Sequence, residues 1–337
     1  MNKTFPMKIA TAVFAMAVGI FLMSCNQSSQ PPKEDLQKVT IAAINPSLTG
    51  YTIYVALDKK YFEEEGLDVV LESYPHGNAT LKALMDGKVD LATASETPFM
   101  HAVLKGAEIC ILATMITGEK HMGVVGRRDR GIASAKDLKG KKIGVTMGTN
   151  GEYFLDTVLL LNKISRDEVQ TVNIKPKKMF EALMNGEVDA IATWNPQNAK
   201  ALKALGESGI SFDAEGLYSP SFVMAARRDY SESHSETVRR VLRALVKASE
   251  FIREDPGTCR AIVADHLGIK EELLNDLSAT YRFKITLDQT LLSTLEAQCQ
   301  WAIKNGLSDA AEVPNFLNFI CADPLESVKP EAVRIIR

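Results

Sequence analysis

The sequence predicts an α/β fold built as two similar lobes, and three observations carry that prediction. The stretch Ala83-Leu84-Met85-Asp86-Gly87-Lys88-Val89-Asp90 returns as Ala182-Leu183-Met184-Asn185-Gly186-Glu187-Val188-Asp189. A second echo pairs Val124-Val125-Gly126-Arg127-Arg128-Asp129 with Met224-Ala225-Ala226-Arg227-Arg228-Asp229. Around both, short apolar runs alternate with amphipathic segments. That rhythm implies parallel strands joined by right-handed helical crossovers.

Each copy of the repeat reads as a helix end, a glycine stop and a buried strand. Leu81, Leu84 and Met85 form an apolar face at i, i+3, i+4, as do Phe180, Leu183 and Met184. Gly87 and Gly186 stand where a left-handed C-cap favours glycine. The strands that follow are 91–95 and 190–194. The arginines of the second echo read as solvated strand ends, on two strands that cross between the lobes. The first lobe is then discontinuous, 39–122 plus 226–337, and the second is 123–225.

In chain order, 39–44 is a strand, broken by Asn45-Pro46-Ser47-Leu48-Thr49-Gly50. Residues 52–65 follow as a helix with Tyr54, Leu57 and Tyr61 inward, stopped at Gly66. Strand 67–73 turns at Pro75-His76-Gly77-Asn78 into the first repeat helix. After strand 91–95, a helix with Pro98 near its start runs to Gly106, and 109–114 is a strand. Segment 121–130 is extended, and 134–138 is a short capped helix. Strand 141–146, the turn Met147-Gly148-Thr149-Asn150-Gly151, helix 152–163 and strand 169–174 lead into the second repeat. Trp194-Asn195-Pro196 then opens another helix. The rest is predicted helical, over 236–253, 259–267, 271–279, 287–304 and 313–321.

The first 25 residues are predicted to be removed from the fold. Lys3 and Lys8 precede an apolar run, 9–23, that is shorter than the ~20 residues of a spanning helix. That suits a secretory signal peptide. Leu22-Met23-Ser24-Cys25 resembles a lipobox, so Cys25 is the expected lipidation site and 26–38 a polar tether. The expected location is extracytoplasmic, with the protein lipid-anchored to the membrane.

The formal charge of −3 has no block of one sign, which argues against a nucleic-acid surface. The remaining cysteines, Cys110, Cys259, Cys299 and Cys321, form no C-x-x-C pair. Buried thiols are the expectation, with one bridge among the last three left open. His76, His101, His121, His234 and His266 are scattered and read as surface or locally bonded residues, with no metal expected.

Several stretches, taken in order, resemble one family. They are Tyr61-Phe62-Glu63-Glu64-Glu65-Gly66-Leu67-Asp68-Val69, the first repeat, Ser95-Glu96-Thr97-Pro98, Asp137-Leu138-Lys139-Gly140-Lys141-Lys142-Ile143-Gly144-Val145 and Trp194-Asn195-Pro196. Together they resemble the extracytoplasmic solute-binding proteins of ABC importers in the NMT1/THI5-like group, which serve nitrate, sulfonates, taurine and thiamine precursors. The resemblance implies the type-II periplasmic binding protein fold, with two α/β lobes closing on a solute. It implies delivery to an ABC permease and its ATPase, no catalysis and no cofactor. A monomer is expected. A sensing subunit is the second reading. A THI5-like pyrimidine-synthesis enzyme is a third, weakened because its cysteine-rich iron motif is absent here.

In open parallel sheets, ligands sit beyond the strand C-termini, at helix N-termini. The candidate ligand contacts are therefore Asn45, Ser47 and Tyr51 after the first strand and Gly77 and Asn78 after the second. Ser95, Glu96 and Thr97 follow the first repeat. Thr149, Asn150 and Gly151 come from the other lobe, with Trp194 and Asn195 after the second repeat. Hydroxyls and backbone amides can bind an oxyanion without arginine, and Trp194 can stack on an apolar or planar part. Glu96 in the cleft would instead favour a ligand carrying an amine or another donor. The solute classes weighed are a sulfonate or taurine-like zwitterion, a thiamine-precursor pyrimidine and a simple oxyanion.

Overall fold

In the computed structural model the described residues are Met1, 36–45, 47–119, 122–212, 216 and 218–336. The expected leader, Cys25 and the tether up to residue 35 lie outside them.

Residues 37–337 carry two sheets. The large one contains β1 (Gln37–Ile44), β2 (Leu67–Tyr74), β3 (Leu91–Ser95), β4 (Ile109–Gly118), β10 (Ser221–Arg227), β11 (Tyr281–Asp288) and β12 (Val333–Arg334). Its order is β12-β11-β4-β10-β3-β1-β2. The small sheet contains β5 (Met122–Arg127), β6 (Lys142–Val145), β7 (Gln170–Asn173), β8 (Ala190–Trp194) and β9 (Gly209–Phe212), in the order β7-β6-β8-β5-β9. The pattern β2-β1-β3-β10-β4 matches β7-β6-β8-β5-β9 in both order and direction. Two parallel pairs come first, then one antiparallel strand between two neighbours. Helices cover both faces, so β3 and β4 are buried almost throughout.

The two echoes are mechanical partners in each lobe. Gly87 and Gly186 have φ of 69° and 72°, the left-handed turn that ends the repeat helices Gly77–Met85 and Met179–Met184. Asp90 then accepts from Thr40 N–H and Thr40 Oγ1, both at 2.7 Å, and so ties the repeat to β1. Asp189 accepts from Lys142 N–H at 2.9 Å and ties its copy to β6.

The arginines are not simply solvated strand ends. Arg227 donates to the carbonyls of Leu84 and Val89 at 3.0 and 3.2 Å, and Arg127 to those of Leu183 and Met184 at 2.9 and 3.1 Å. Carbonyls at a helix C-terminus carry the negative end of the helix dipole and attract a cation there. Neither echo strand passes between the sheets: β5 lies wholly in the small sheet and β10 wholly in the large one. The chain crosses in the connectors beside them, where Gly118 N–H donates to Pro220 O at 2.9 Å. The buried run 221–226 fills the slot between β3 and β4, so the chain rejoins the large sheet before residue 225.

Three further differences have plain causes. Segment 281–287 is β11, and its helix begins only at Gln289, where Asp288 caps it. Residues 313–321 hold the 3-10 turn Phe316–Phe319 and a parallel bridge from Ile320 to Ile111 in place of a helix. Cys110 is bridged to Cys321, because Cys321 N–H bonds Ile111 O at 2.9 Å and lays the C-terminal segment along β4. Cys259 and Cys299 remain buried thiols.

Candidate functional site

The C-terminal ends of β1, β2 and β3 face those of β6 and β8, and a small cavity lies between them. From the large lobe it is walled by Ser47 and Thr49 after β1, by His76 and Gly77 after β2 and by Ser95 and Pro98 after β3. Ile44, Phe222 and Tyr281 add apolar surface. Thr149, Asn150 and Trp194 come from the small lobe. Among the described residues no lysine or arginine lines the cavity. Its volume is about 30 Å³, whereas clefts that hold small organic ligands run to roughly 300–1,000 Å³. The cavity between the lobes is thus smaller than such a ligand.

Local sequence explains the polar character. Ser47 turns the chain out of β1 and accepts the Thr49 N–H at 3.2 Å. Thr149 caps the helix Asn150–Leu161, accepting from Gly151 N–H at 3.2 Å and donating to Thr146 O at 2.6 Å. The helix Gly77–Met85 and the helix Glu96–Leu104 begin after His76 and Ser95, and neither residue caps with its side chain. Gly77 and Ser95, at the starts of these helices, lie in the cavity wall, where the partial positive charge of a helix N-terminus favours an anion. The Trp194 ring packs at Gly151, where an added Cβ would stand 3.4 Å from Cζ3. Burial, then the charge of Lys175, holds the His76 imidazole below its ordinary pKa.

Of the residues expected from sequence, Ser47, Gly77, Ser95, Thr149, Asn150 and Trp194 line this one cavity. The others stand elsewhere. Asn45 donates to Ser73 Oγ at 3.1 Å at the exposed edge. Tyr51 is buried with its ring 4.2 Å from that of Phe283, in the wall of a separate groove. Asn78 donates across the cleft to Gly148 O at 3.2 Å. Gly151 gives its N–H to Thr149, and Asn195 Oδ1 accepts from Ala199 N–H at 3.3 Å as a cap. Thr97 is fully buried.

Glu96 is also fully buried and does not line the cavity. Its carboxylate accepts from Ser221 N–H and Gln298 Nε2, both at 2.8 Å, and from the Tyr218 hydroxyl. Burial pushes its pKa up to about 7 against those hydrogen bonds. Glu96 thus fastens the connector that returns to the large sheet.

Sequence reasoning passed over Thr49, His76, Phe222 and Tyr281 as site residues. Thr49 and His76 sat inside loops already singled out. Phe222 and Tyr281 arrive on antiparallel strands from far along the chain, and only the strand order brings them in.

The arrangement supplies hydroxyls, amides and one imidazole around a closed cleft. Among the described residues no group of three or more His, Cys, Asp or Glu could hold a metal. No described helix is long and apolar enough to cross a membrane.

This is the periplasmic binding-protein fold. The structure of the periplasmic aliphatic sulphonate binding protein SsuA from Escherichia coli superposes with a TM-score of 0.72 at 19% identity, covering 84% of this chain and 97% of that one. The alkanesulfonate-binding protein SsuA from Xanthomonas axonopodis pv. citri, bound to MOPS, gives 0.71 at 20% identity over 82% and 96%. A Bacillus subtilis (strain 168) relative, assigned as an aliphatic sulfonates-binding protein, is 27% identical over 247 residues, 72% of this chain and 74% of its own length. The chain belongs to the NMT1/THI5-like family, whose profile matches residues 45–259.

Proposed function

We propose that this chain is a solute-binding lipoprotein, anchored outside the cytoplasm through Cys25, that captures a sulfonate and hands it to an ABC permease with its ATPase. It works as a monomer, and its two lobes, 39–122 plus 226–337 and 123–225 apart from β10, close on the solute. The contacts are Ser47, Gly77, Ser95, Thr149, Asn150 and Trp194.

The observation that carries this reading is the cleft cavity, where amides and hydroxyls from both lobes converge with no lysine or arginine among the described lining residues. Such a site suits a singly charged oxyanion with a small apolar tail. The carboxylate that would have opposed an anion, Glu96, is committed to the returning connector. The names carried by the relatives support the same solute class. Chain crossings bonded at Gly118 and Pro220 suit a hinge.

Mass spectrometry of ligand released from the native protein, followed by calorimetry with ethanesulfonate, taurine, nitrate and an aminopyrimidine, tests the solute class. Binding of the pyrimidine alone would overturn it. Sulfonate uptake by cells lacking the protein separates delivery from sensing: uptake unaffected by the loss favours the sensor.

A further inference from the structure

Two buried polar atoms at the cleft cavity have no partner within the protein, Thr49 Oγ1 and His76 Nδ1. Thr49 is 4% exposed. Its N–H is held by Ser47 Oγ, which fixes the turn and leaves the hydroxyl without a role in it. His76 adopts extended backbone with φ −167° ahead of the helix Gly77–Met85. Its carbonyl accepts from Ala79 and Thr80 N–H at 3.0 and 3.3 Å, while its ring caps nothing. A buried polar group left without a partner is costly. Two such atoms from separate loops at one cavity make a site that a ligand's acceptor atoms satisfy.

We infer that Thr49 and His76 hold the charged head of the solute and make the site select a tetrahedral sulfonate over a planar carboxylate. The inference rests on the solute-binding reading above and assigns its specificity. The Thr49 hydroxyl and the imidazole N–H donate from two loops of the large lobe, and the Asn150 N–H, first of the helix Asn150–Leu161, donates from the small lobe. Donors from three directions match three sulfonate oxygens, whereas a carboxylate offers two in one plane. With its pKa depressed, the imidazole is neutral and supplies one N–H with no full charge. A dianionic head would meet no compensating cation among the lining residues.

Calorimetry on the whole protein with ethanesulfonate and with propionate, for wild type, Thr49→Val and His76→Phe, reads the selectivity. Wild type is expected to prefer ethanesulfonate. Each variant is expected to lose about tenfold in ethanesulfonate affinity, the worth of one to two hydrogen bonds. Propionate affinity should move less, so the preference collapses. His76→Gln, which keeps a donor, should recover part of it. Nitrogen-15 NMR of wild type provides a readout that no variant can spoil: the His76 Nδ1 signal must move when ethanesulfonate is added. An unmoved signal, or an unchanged preference in both variants, overturns the inference while sulfonate binding stands. Failure of wild type to bind ethanesulfonate overturns both readings together.

Discussion

The indole Nε1 of Trp301 donates to Asp156 Oδ2 at 2.8 Å, bonding the helix Gln289–Lys304 of the large lobe to the helix Asn150–Leu161 of the small one. Tyr153 meets the same indole edge-on at 5.2 Å, and Arg166 pairs with both Asp156 and Glu152. Burial raises the Asp156 pKa against the Arg166 charge. Trp301→Phe keeps the ring and removes the donor. Such a bond is worth about 1 kcal/mol, so ligand affinity should fall several-fold as the closed population shrinks. Small-angle scattering should show a larger radius of gyration for the ligand-free variant than for wild type. Equal radii would mean that the bond does not govern closure.

Stability should fall as pH rises through neutrality, because of Glu96. It is an acid whose folded pKa, about 7, lies above its ordinary 4.5. Between those values the folded state holds more protons than the unfolded state. The contribution is therefore complete below pH 4.5 and lost as pH climbs through 7, on the order of 3 kcal/mol. Thermal melts of wild type and Glu96→Gln from pH 4.5 to 8.5 check this. The variant should show a flatter profile.

Trp194→Ala should weaken solute binding by ~1–3 kcal/mol, from lost aromatic burial at the cavity wall. The ring also packs against the small-lobe core, so the variant should melt lower as well. Calorimetry separates the two effects, since an affinity equal to wild type would make Trp194 purely a core residue.

Reduction should expose the role of the Cys110–Cys321 bridge, which closes a loop with a sequence separation of 211. Breaking such a bridge costs about 2–5 kcal/mol. Cys321→Ser, or wild type in reductant, should melt well below the oxidised protein. Cys259→Ser would serve as the control, since that thiol is free.

The two-lobed α/β plan was legible because its signals are local: glycine stops, apolar helix faces and buried runs, each present twice. The loops after β1, β2, β3, β6 and β8 followed from strand direction alone. Long-range pairing was not legible. Glu96 reads in sequence as a cleft acid because nothing local reveals that Tyr218, Ser221 and Gln298 converge on it. Arg127 and Arg227 read as solvated because the helix ends they cap lie on other segments. The strand β11 is a different failure. Tyr281-Arg282-Phe283-Lys284-Ile285-Thr286-Leu287 alternates apolar and polar without a break, a plain period of two. The surrounding helical composition masked it.

Strand order also sets a schedule for synthesis. The small sheet has its last strand once Phe212 has been made. At that moment β3 and β4 flank a gap, because the strand that joins them, β10, is still to come. A chain stopped between the two points has one finished sheet, a β2-β1-β3 fragment with the β3 edge bare, and a β4 that lacks both its partners, β10 and β11; bare edges of this kind recruit stray strands. Truncations near residue 215 should therefore aggregate, whereas an excised 122–212 segment, whose five strands pair among themselves, leaves no such gap.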